Sequence, residues 1–232
     1  MKNVAIVLSA GKGTRMQCDT AKQYLLMEGY PIIAHTLKVF QDSFMDEIIL
    51  VCGADDVEYC KRDLVKKYNF NKVKKIIVGG KERYDSVYRG IQAIEEADYV
   101  YIHDGARPFI DQEILKRVRE SVQEYQACVV GMPVKDTIKI VNEENAVTET
   151  PERSMVWQIQ TPQVFSYPLI RDAYKRLANA DEQGITDDAM VVERMMEHPI
   201  HVVEGSYQNI KITTPEDLDI GAVYARKRNL FG

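Results

Sequence analysis

The sequence predicts an α/β protein with a mostly parallel sheet, because two kinds of segment alternate along it. Short apolar runs, several of them rich in Val and Ile, are typical of buried strands. These runs are Val4–Leu8, Ile48–Cys52, Lys75–Val78, Tyr99–Ile102 and Cys128–Met132. Between them lie stretches with helical spacing, such as Ile33, Leu37 and Phe40 on one face. A sheet built this way binds ligands outside the carboxyl ends of its strands.

Length and composition fit one globular domain spanning residues 1–232. Apolar residues make up 45% of the chain and charged residues 28%, close to the averages for globular proteins. A disordered chain, a collagen and a simple coiled coil are therefore excluded. The sequence contains no internal repeat, low-complexity tract or linker that would divide it.

Charge and cysteine content restrict the expected partners. Lys and Arg number 30 against 35 Asp and Glu, which gives a net charge of −5 and disfavours a nucleic-acid partner. No apolar run approaches the ~18 residues that a membrane span needs, and the N-terminus does not resemble a signal peptide. Cys18, Cys52, Cys60 and Cys128 form no C-x-x-C pair. We expect free thiols and a cytoplasmic location.

Helical patterns cover most of the remaining chain. They occupy residues 31–40, 87–94, 111–122, 167–178, 187–196 and 215–227. Asp111 is a predicted N-cap, and Thr214-Pro215-Glu216-Asp217 combines a cap, a proline and first-turn acids. Residues 136–160 depart from this rhythm: Thr137–Val141 is strand-like, Asn142–Asn145 is turn-like, and an alternating pattern ends the segment. We interpret residues 136–160 as a β-hairpin arm that projects from the α/β body.

The segment after the first predicted strand has the composition of a phosphate-binding loop. It reads Ser9-Ala10-Gly11-Lys12-Gly13-Thr14-Arg15-Met16, and its glycines would let backbone N–H groups approach anionic oxygens. It is not a Walker A loop, and it lacks the third glycine of the dinucleotide fingerprint. A plain tight turn is the alternative interpretation.

Two further clusters follow predicted strands. Gly79–Ser86 offers a Gly-Gly pair and the donors Arg83 and Ser86, while His103–Pro108 places a carboxylate at a strand tip. Asp104 is well placed to hold a divalent cation beside phosphates. We favour a structural role over general-base catalysis for His103.

Lys211 lies in the short apolar run Asn209–Thr213. An unpaired lysine there is costly, so Lys211 needs either an anionic partner or an exposed position on an edge strand.

Together these clusters resemble those of the 2-C-methyl-D-erythritol 4-phosphate cytidylyltransferases. Eight segments occur in the family's order between residue 3 and about residue 225. They are SAGKGTRM, AKQY, GGKERYDSV, HDGARP, PVKDTIK, QTPQVF, GITDDA and NIKITTPEDL. The resemblance implies a single Rossmann-like nucleotidyltransferase domain whose β-arm clasps a second subunit.

The resemblance also implies roles for individual residues. Those expected to bind CTP are Ala10, Gly11, Lys12, Gly13, Gly80, Arg83, Ser86, Asp104 and Gly105. Those expected to act on the phosphates in catalysis are Arg15, Lys22 and Lys211. Those expected to hold the sugar phosphate are Arg107, Thr137, Arg153 and Thr186. Asp104 is the expected ligand of Mg²⁺ or another divalent cation, and Thr137 and Arg153 would serve the partner's site.

The reaction that the resemblance implies transfers the cytidylyl group of CTP to 2-C-methyl-D-erythritol 4-phosphate, giving the CDP-alcohol and pyrophosphate, in isoprenoid precursor synthesis. Alternatives are a ribitol-5-phosphate cytidylyltransferase, an NAD-linked oxidoreductase on a Rossmann sheet, and a non-catalytic nucleotide sensor. His103-Asp104-Gly105-Ala106-Arg107-Pro108 resembles the methylerythritol enzymes more than the ribitol enzymes. Three positions depart from the common family pattern: Ala21, Lys81 and Gln208. We expect Ala21 and Lys81 to affect loop stiffness and surface charge, and Gln208 to take no direct part in metal binding.

Overall fold

The computed structural model describes residues 1–11, 21–180 and 184–231. Within these ranges a seven-stranded sheet forms the centre of the protein. Its strands are β1 (Asn3–Ser9), β4 (Glu47–Cys52), β5 (Val73–Val78), β6 (Tyr99–Asp104), β7 (Ala127–Pro133), β10 (Trp157–Ser166) and β11 (His201–Glu204). They lie side by side in the order β11-β7-β10-β6-β1-β4-β5. Two small antiparallel pairs complete the strands: β2 (Leu26–Met27) with β3 (Tyr30–Pro31), and β8 (Ile140–Val141) with β9 (Val147–Glu149).

Helices connect the strands and cover both faces of the sheet. They are α1 (Ile32–Gln41), α2 (Val57–Tyr59), α3 (Arg83–Gln92), α4 (Gln112–Tyr125), α5 (Tyr167–Leu177), α6 (Asp188–Met196) and α7 (Pro215–Arg228). A π-helical segment, Cys60–Lys66, continues α2 directly. In the described part of the chain, no helix is both long and apolar enough to span a bilayer.

The sheet is mostly parallel, as predicted. The strands β5, β4, β1 and β6 pair in parallel, and so do β7 and β11. Only β10 is antiparallel to both of its neighbours, β6 and β7, among the strands described. The two parallel groups consequently point in the same direction, and their carboxyl ends share one edge of the sheet.

Alternation along β1 divides the apolar core into two layers. Ala5 and Val7 pack toward α1, α4 and the helix that begins at Val57, whereas Val4 and Ile6 pack toward α3, α5 and α6. All four side chains are fully buried. A strand covered on both faces becomes a continuous apolar run, which is why the sequence between residues 4 and 8 lacks polar positions.

The predicted caps have the expected geometry where the side chains are short and polar. The Asp111 carboxylate accepts from the backbone N–H of Ile114 at 2.8 Å. Thr214 and Asp217 form a reciprocal capping box at the start of α7. Both caps satisfy N–H groups that the first helical turn leaves without a backbone partner.

The predicted arm is shorter than residues 136–160. Its hairpin consists of β8 and β9, joined through Asn142 and Asn145, and Thr137–Lys139 is not strand. The alternating segment Gln158–Thr161 is not part of the arm. It lies within β10, which pairs with β7 in the main sheet. Period-two alternation marks a strand without identifying its sheet.

The helix that starts at Val57 and the edge strand β11 are not among the elements that the sequence predicts. Of the two alternatives for residues 209–213, the exposed edge strand is not the one observed, because these residues have no strand conformation. Three backbone bonds fix this segment instead, including one from the Ile212 N–H to the Ala106 carbonyl at 2.8 Å.

Candidate active site

A cleft of about 290 Å³ lies at the carboxyl edge of the sheet. Segments that follow β1, β5 and β6 form its walls, together with residues near Lys22 and Lys211. Its lining residues are Leu8, Ser9, Ala10, Gly11, Lys22, Gln23, Gly80, Lys81, Glu82, Arg83, Ser86, Asp104, Ala106, Lys211 and Thr213.

Strand register explains why distant segments meet in this cleft. Leu8 of β1 pairs with Asp104 of β6, and Ser9 pairs with Cys52 of β4. Cys52 pairs in turn with Val78, the last residue of β5. The ends of these four strands are therefore level, and the loops that leave β1, β5 and β6 converge on one space.

Close backbone contact at Gly79 holds two of these loops together. A Cβ atom on Gly79 would lie 2.5 Å from the Ala10 side chain, which is too short for any real contact. Beside it, the Gly80 N–H donates to Ser86 Oγ at 3.0 Å. The Gly-Gly pair noted in the sequence thus serves the contact between two walls of the cleft.

Asp104 is the centre of the charged groups in the cleft. Its Oδ2 accepts from Lys211 Nζ at 2.8 Å, its Oδ1 lies 3.3 Å from Arg83 Nε, and Arg107 Nε is 3.9 Å from Oδ2. Burial by itself raises the pKa of Asp104, but Arg83, Lys211 and Arg107 together hold that pKa well below its usual range. Asp104 is therefore a carboxylate throughout the physiological pH range.

Arg83 joins Asp104 to a second carboxylate that the sequence analysis did not select. Its two terminal nitrogens donate to the oxygens of Asp188 at 3.0 and 2.8 Å. The Tyr174 hydroxyl donates to the same carboxylate at 2.6 Å. Burial lowers the pKa of Arg83, yet Asp188 and Asp104 raise it beyond its ordinary value.

Of the two alternatives for Lys211, the structure shows the anionic partner, which is Asp104. The Lys211 side chain is 37% exposed, so its ammonium group remains open to the cleft. Two residues earlier, Asn209 is fully buried and donates to Gln160 Oε1 and to the Thr161 carbonyl. These bonds fix the segment that carries Lys211.

His103 has the structural role that we favoured. The ring is fully buried, Nε2 donates to the Arg107 carbonyl at 3.0 Å, and Nδ1 accepts from Thr161 Oγ1 at 3.1 Å. Burial lowers the pKa of His103 to about 4. With both nitrogens engaged outside the cleft, the ring has no free position from which to take a substrate proton.

Gln23 is a cleft residue that the sequence analysis missed. Its amide donates to the Ser9 carbonyl at 2.7 Å and to the Gly11 carbonyl at 3.2 Å, and the residue is almost fully buried. Gln23 therefore fixes the chain that leaves β1. Its neighbour Lys22 lines the cleft from the same short 3₁₀ turn.

The predicted residues fall into four groups in the structure. Those that line the cleft are Ala10, Gly11, Lys22, Gly80, Arg83, Ser86, Asp104 and Lys211. Lys81, one of the two positions expected to affect loop stiffness and surface charge, also lines it. Gly105 and Arg107 lie behind its wall, where Gly105 accepts from Thr36 and Arg107 donates to the Asn209 carbonyl. Lys12, Gly13 and Arg15 lie outside the described residues.

The remaining predicted residues are outside the cleft of this subunit. Thr137 and Arg153 are exposed beside the arm, and Arg153 donates to the Lys135 carbonyl at 3.3 Å. Thr186 lines a smaller neighbouring pocket that also contacts Arg83, Tyr84 and Asp187. Their proposed contacts with the sugar phosphate stay predictions.

The donor set fits a cation that is held jointly by protein and substrate. The described ranges contain no group of three or more His, Cys, Asp or Glu residues suited to a metal ion. Asp104 provides a carboxylate in the cleft beside three cationic side chains that attract phosphates. Mg²⁺ commonly binds in this way, through one or two carboxylates, substrate phosphates and water.

The parallel sheet and the cationic cleft at its carboxyl edge define an α/β nucleotide-binding enzyme. Comparison with known families makes this specific: residues 3–227 match the family model of 2-C-methyl-D-erythritol 4-phosphate cytidylyltransferase. The chain belongs to this family, whose members are nucleotidyltransferases.

Individual relatives agree with the family assignment along the whole chain. The cytidylyltransferase of Lachnoclostridium phytofermentans is 45% identical over 99% of both chains. That of Lachnospira eligens is 49% identical over 97% of this chain and 99% of its own. The crystal structure of the Anaerococcus prevotii 4-diphosphocytidyl-2C-methyl-D-erythritol synthase has a TM-score of 0.86 at 32% identity, covering 97% of this chain and 96% of its own.

Proposed function

We propose that this protein transfers the cytidylyl group of CTP to 2-C-methyl-D-erythritol 4-phosphate, releasing pyrophosphate, in isoprenoid precursor synthesis. The observation that carries the proposal is the cleft in which Arg83 and Lys211 contact Asp104 and to whose lining Lys22 adds a second lysine. A triphosphate and a phosphate monoester must approach each other in this reaction, and cationic side chains reduce their repulsion.

The reaction needs no general base. An oxygen of the phosphate monoester, already anionic at neutral pH, attacks the α-phosphorus of CTP. A new P–O bond forms as the bond to the β-phosphate oxygen breaks, and the electron pair leaves with pyrophosphate. This agrees with the position of His103, whose ring is buried and engaged on both nitrogens.

The protein's contribution is alignment and electrostatic stabilisation. Lys211 and Lys22 line the cleft from separate segments, so together they are suited to hold the charge that develops between the α-phosphate and pyrophosphate. Gly80 and Ser86 are joined by a hydrogen bond and form the wall proposed to hold cytosine and ribose. The family resemblance assigns Arg107 and Thr186 to the incoming phosphate, and Arg107, which donates to the Asn209 carbonyl behind the cleft wall, would have to turn toward the cleft to reach it.

Mg²⁺ or another divalent cation is the proposed cofactor, with Asp104 as its protein ligand. When bound, it would offset charge on the phosphate oxygens as a Lewis acid. Lys211, which donates to Asp104 at 2.8 Å, is the residue proposed to contact the reacting phosphate from the same side of the cleft.

We also propose that the protein is a homodimer whose arm completes the neighbouring site. The arm and its base expose the apolar side chains of Ile140, Val141, Val147, Met155 and Trp157, which a partner would cover. Thr137 and Arg153 stand beside them and lie outside their own subunit's cleft. An isologous contact would give two equivalent shared sites.

The test is incubation with CTP, Mg²⁺ and one candidate alcohol phosphate at a time, with pyrophosphate release and product mass as readouts. We expect turnover with 2-C-methyl-D-erythritol 4-phosphate and little with ribitol 5-phosphate. Faster turnover of ribitol 5-phosphate would overturn the substrate assignment. Absence of turnover with both would overturn the proposed reaction.

A further inference from the structure

Asp188 is a buried carboxylate that lies behind the cleft and has no assigned task. It is the first residue of α6, its side chain is 0% exposed, and it does not line the cleft. Burying a charge without a partner costs several kcal/mol. The groups that contact Asp188 must therefore compensate for its burial, and they indicate what it does.

Asp188 is held by a set of bonds that fixes its orientation. The Tyr174 hydroxyl donates to Oδ1 at 2.6 Å from α5. The backbone N–H groups of Asp188 and Ala189 donate to Gln163 Oε1 at 2.9 and 3.0 Å. Gln163 lies in β10, so the first turn of α6 is fixed to the central sheet.

The fixed carboxylate determines where the Arg83 guanidinium points. Asp188 accepts from both terminal nitrogens of Arg83, and this two-bond geometry leaves the group little freedom to rotate. Only the Nε–H of Arg83 is directed at Asp104, at 3.3 Å from Oδ1. The other oxygen of Asp104 consequently receives Lys211.

We propose that Asp188 is a positioning residue: by holding both terminal nitrogens of Arg83, it restricts Arg83 to a single contact with Asp104. Without Asp188, the guanidinium is free to bind Asp104 through two bonds and to displace Lys211. Asp188 exerts this effect through Arg83 and does not contact substrate. The expected effect on turnover rests on the proposed function.

The test is a double-mutant cycle on kcat/KM with Asp188→Asn, Arg83→Gln and the double variant. Asp188→Asn should lower kcat/KM on the order of 10²-fold, the scale of a small misplacement in an active site. In the Arg83→Gln background the same change should cost less than about twofold, because coupled residues are non-additive. Asp172→Asn is the matched control, since its carboxylate pairs with Arg171 at the surface, and we expect no change.

Two more measurements keep the inference decidable. Tyr174→Phe removes one hydrogen bond from Asp188, so it should lower kcat/KM by about 2- to 10-fold and lose that effect when Arg83 is Gln.

In protein labelled with ¹⁵N-arginine, the Arg83 Nε–H signal should shift or broaden in Asp188→Asn and stay unchanged in Asp172→Asn. If the wild-type chain releases no pyrophosphate, the proposed function is refuted, but the Arg83 signal can still be measured and still tests the positioning role. Additive effects in the cycle, or an unchanged Arg83 signal in Asp188→Asn, would overturn the positioning role.

Discussion

Lys211 Nζ donates to Asp104 Oδ2 at 2.8 Å although the two residues are 107 positions apart. The contact joins the end of a central strand to the irregular segment before the last helix. It holds an ammonium group at the cleft while leaving it 37% exposed. The ammonium group is thus positioned before any anionic ligand arrives.

We expect Lys211→Ala and Lys22→Ala each to lower kcat by on the order of 10²–10³, with smaller changes in KM, because both groups would stabilise charge that develops in the transition state. Steady-state kinetics with CTP varied measures the two parameters. Lys74→Ala is the control, since Lys74 is an exposed lysine on β5 outside the cleft. Equal losses in the control and in the cleft variants would show a general charge effect.

His103→Asn should reduce kcat far less than Lys211→Ala does. The His103 ring supports the Arg107 carbonyl and Thr161, so its loss affects stability more than chemistry. Thermal unfolding of the variant gives the stability change, and kcat per folded molecule gives the chemical one. A decrease in kcat as large as that of Lys211→Ala would refute the mechanism without a base.

The shared site predicts complementation between two inactive variants. Lys22→Ala damages the cleft, and Arg153→Ala damages the arm that is proposed to serve the neighbour. In a mixed dimer one site carries both defects and the other carries neither. Random mixing makes about half of the dimers mixed, so roughly a quarter of wild-type activity should return.

Co-expression followed by pyrophosphate release measures this recovery. Mass determination of the dimers confirms that mixed species are present. If mixed dimers form and activity does not return, Arg153 serves its own subunit or has no role in the reaction.

Stability should fall in mild acid partly because of His35. Its ring is buried, with Nε2 donating to the Met27 carbonyl at 2.9 Å, and burial lowers the pKa of His35 below its ordinary value of 6.5. As the pH decreases through 6.5, the unfolded chain binds a proton at this position before the folded chain does. The free energy of unfolding therefore decreases in this range.

Urea unfolding of the wild type and of His35→Gln between pH 7.5 and pH about 5 tests the assignment, because an unperturbed histidine titrates within that range. Glutamine can still donate to Met27 but does not titrate. We expect a shallower decrease in the variant, while His103 contributes equally to both proteins. Equal slopes would contradict a contribution from His35.

The local features of the fold could be predicted because their causes are local. The Asp111 cap and the strand over residues 4–8 follow from a short polar side chain and from an unbroken apolar run. The edge strand β11 was missed because only two of its four residues, Val202 and Val203, are apolar, which is too short a run to form a strand pattern. Gln158–Thr161 was assigned to the arm because pairing with β7 is a long-range property.

For the site, the sequence indicated which residues take part but not which remote residues they contact. The apolar neighbours of Lys211 predicted either an anionic partner or an exposed position on an edge strand, but the identity of the partner, Asp104, depends on packing between remote segments. Asp188 lies in the GITDDA segment that supported the resemblance, yet nothing nearby indicates its pairing with Arg83, 105 positions away. Gln23 was likewise visible in AKQY without a sign of its bonds to residues 9 and 11.

The order of the sheet has a consequence for synthesis on the ribosome. By residue 104 the nascent chain contains β1, β4, β5 and β6, one contiguous half of the sheet, and with them Arg83 and Asp104. Asp188 and Lys211 lie later in the chain, beyond β10, which pairs antiparallel with β6. A chain that is released early therefore has the two opposite charges of Arg83 and Asp104 but neither of their fixed partners. Truncated translation products would consequently lack the ordered nucleotide cleft, even where half of the sheet is complete.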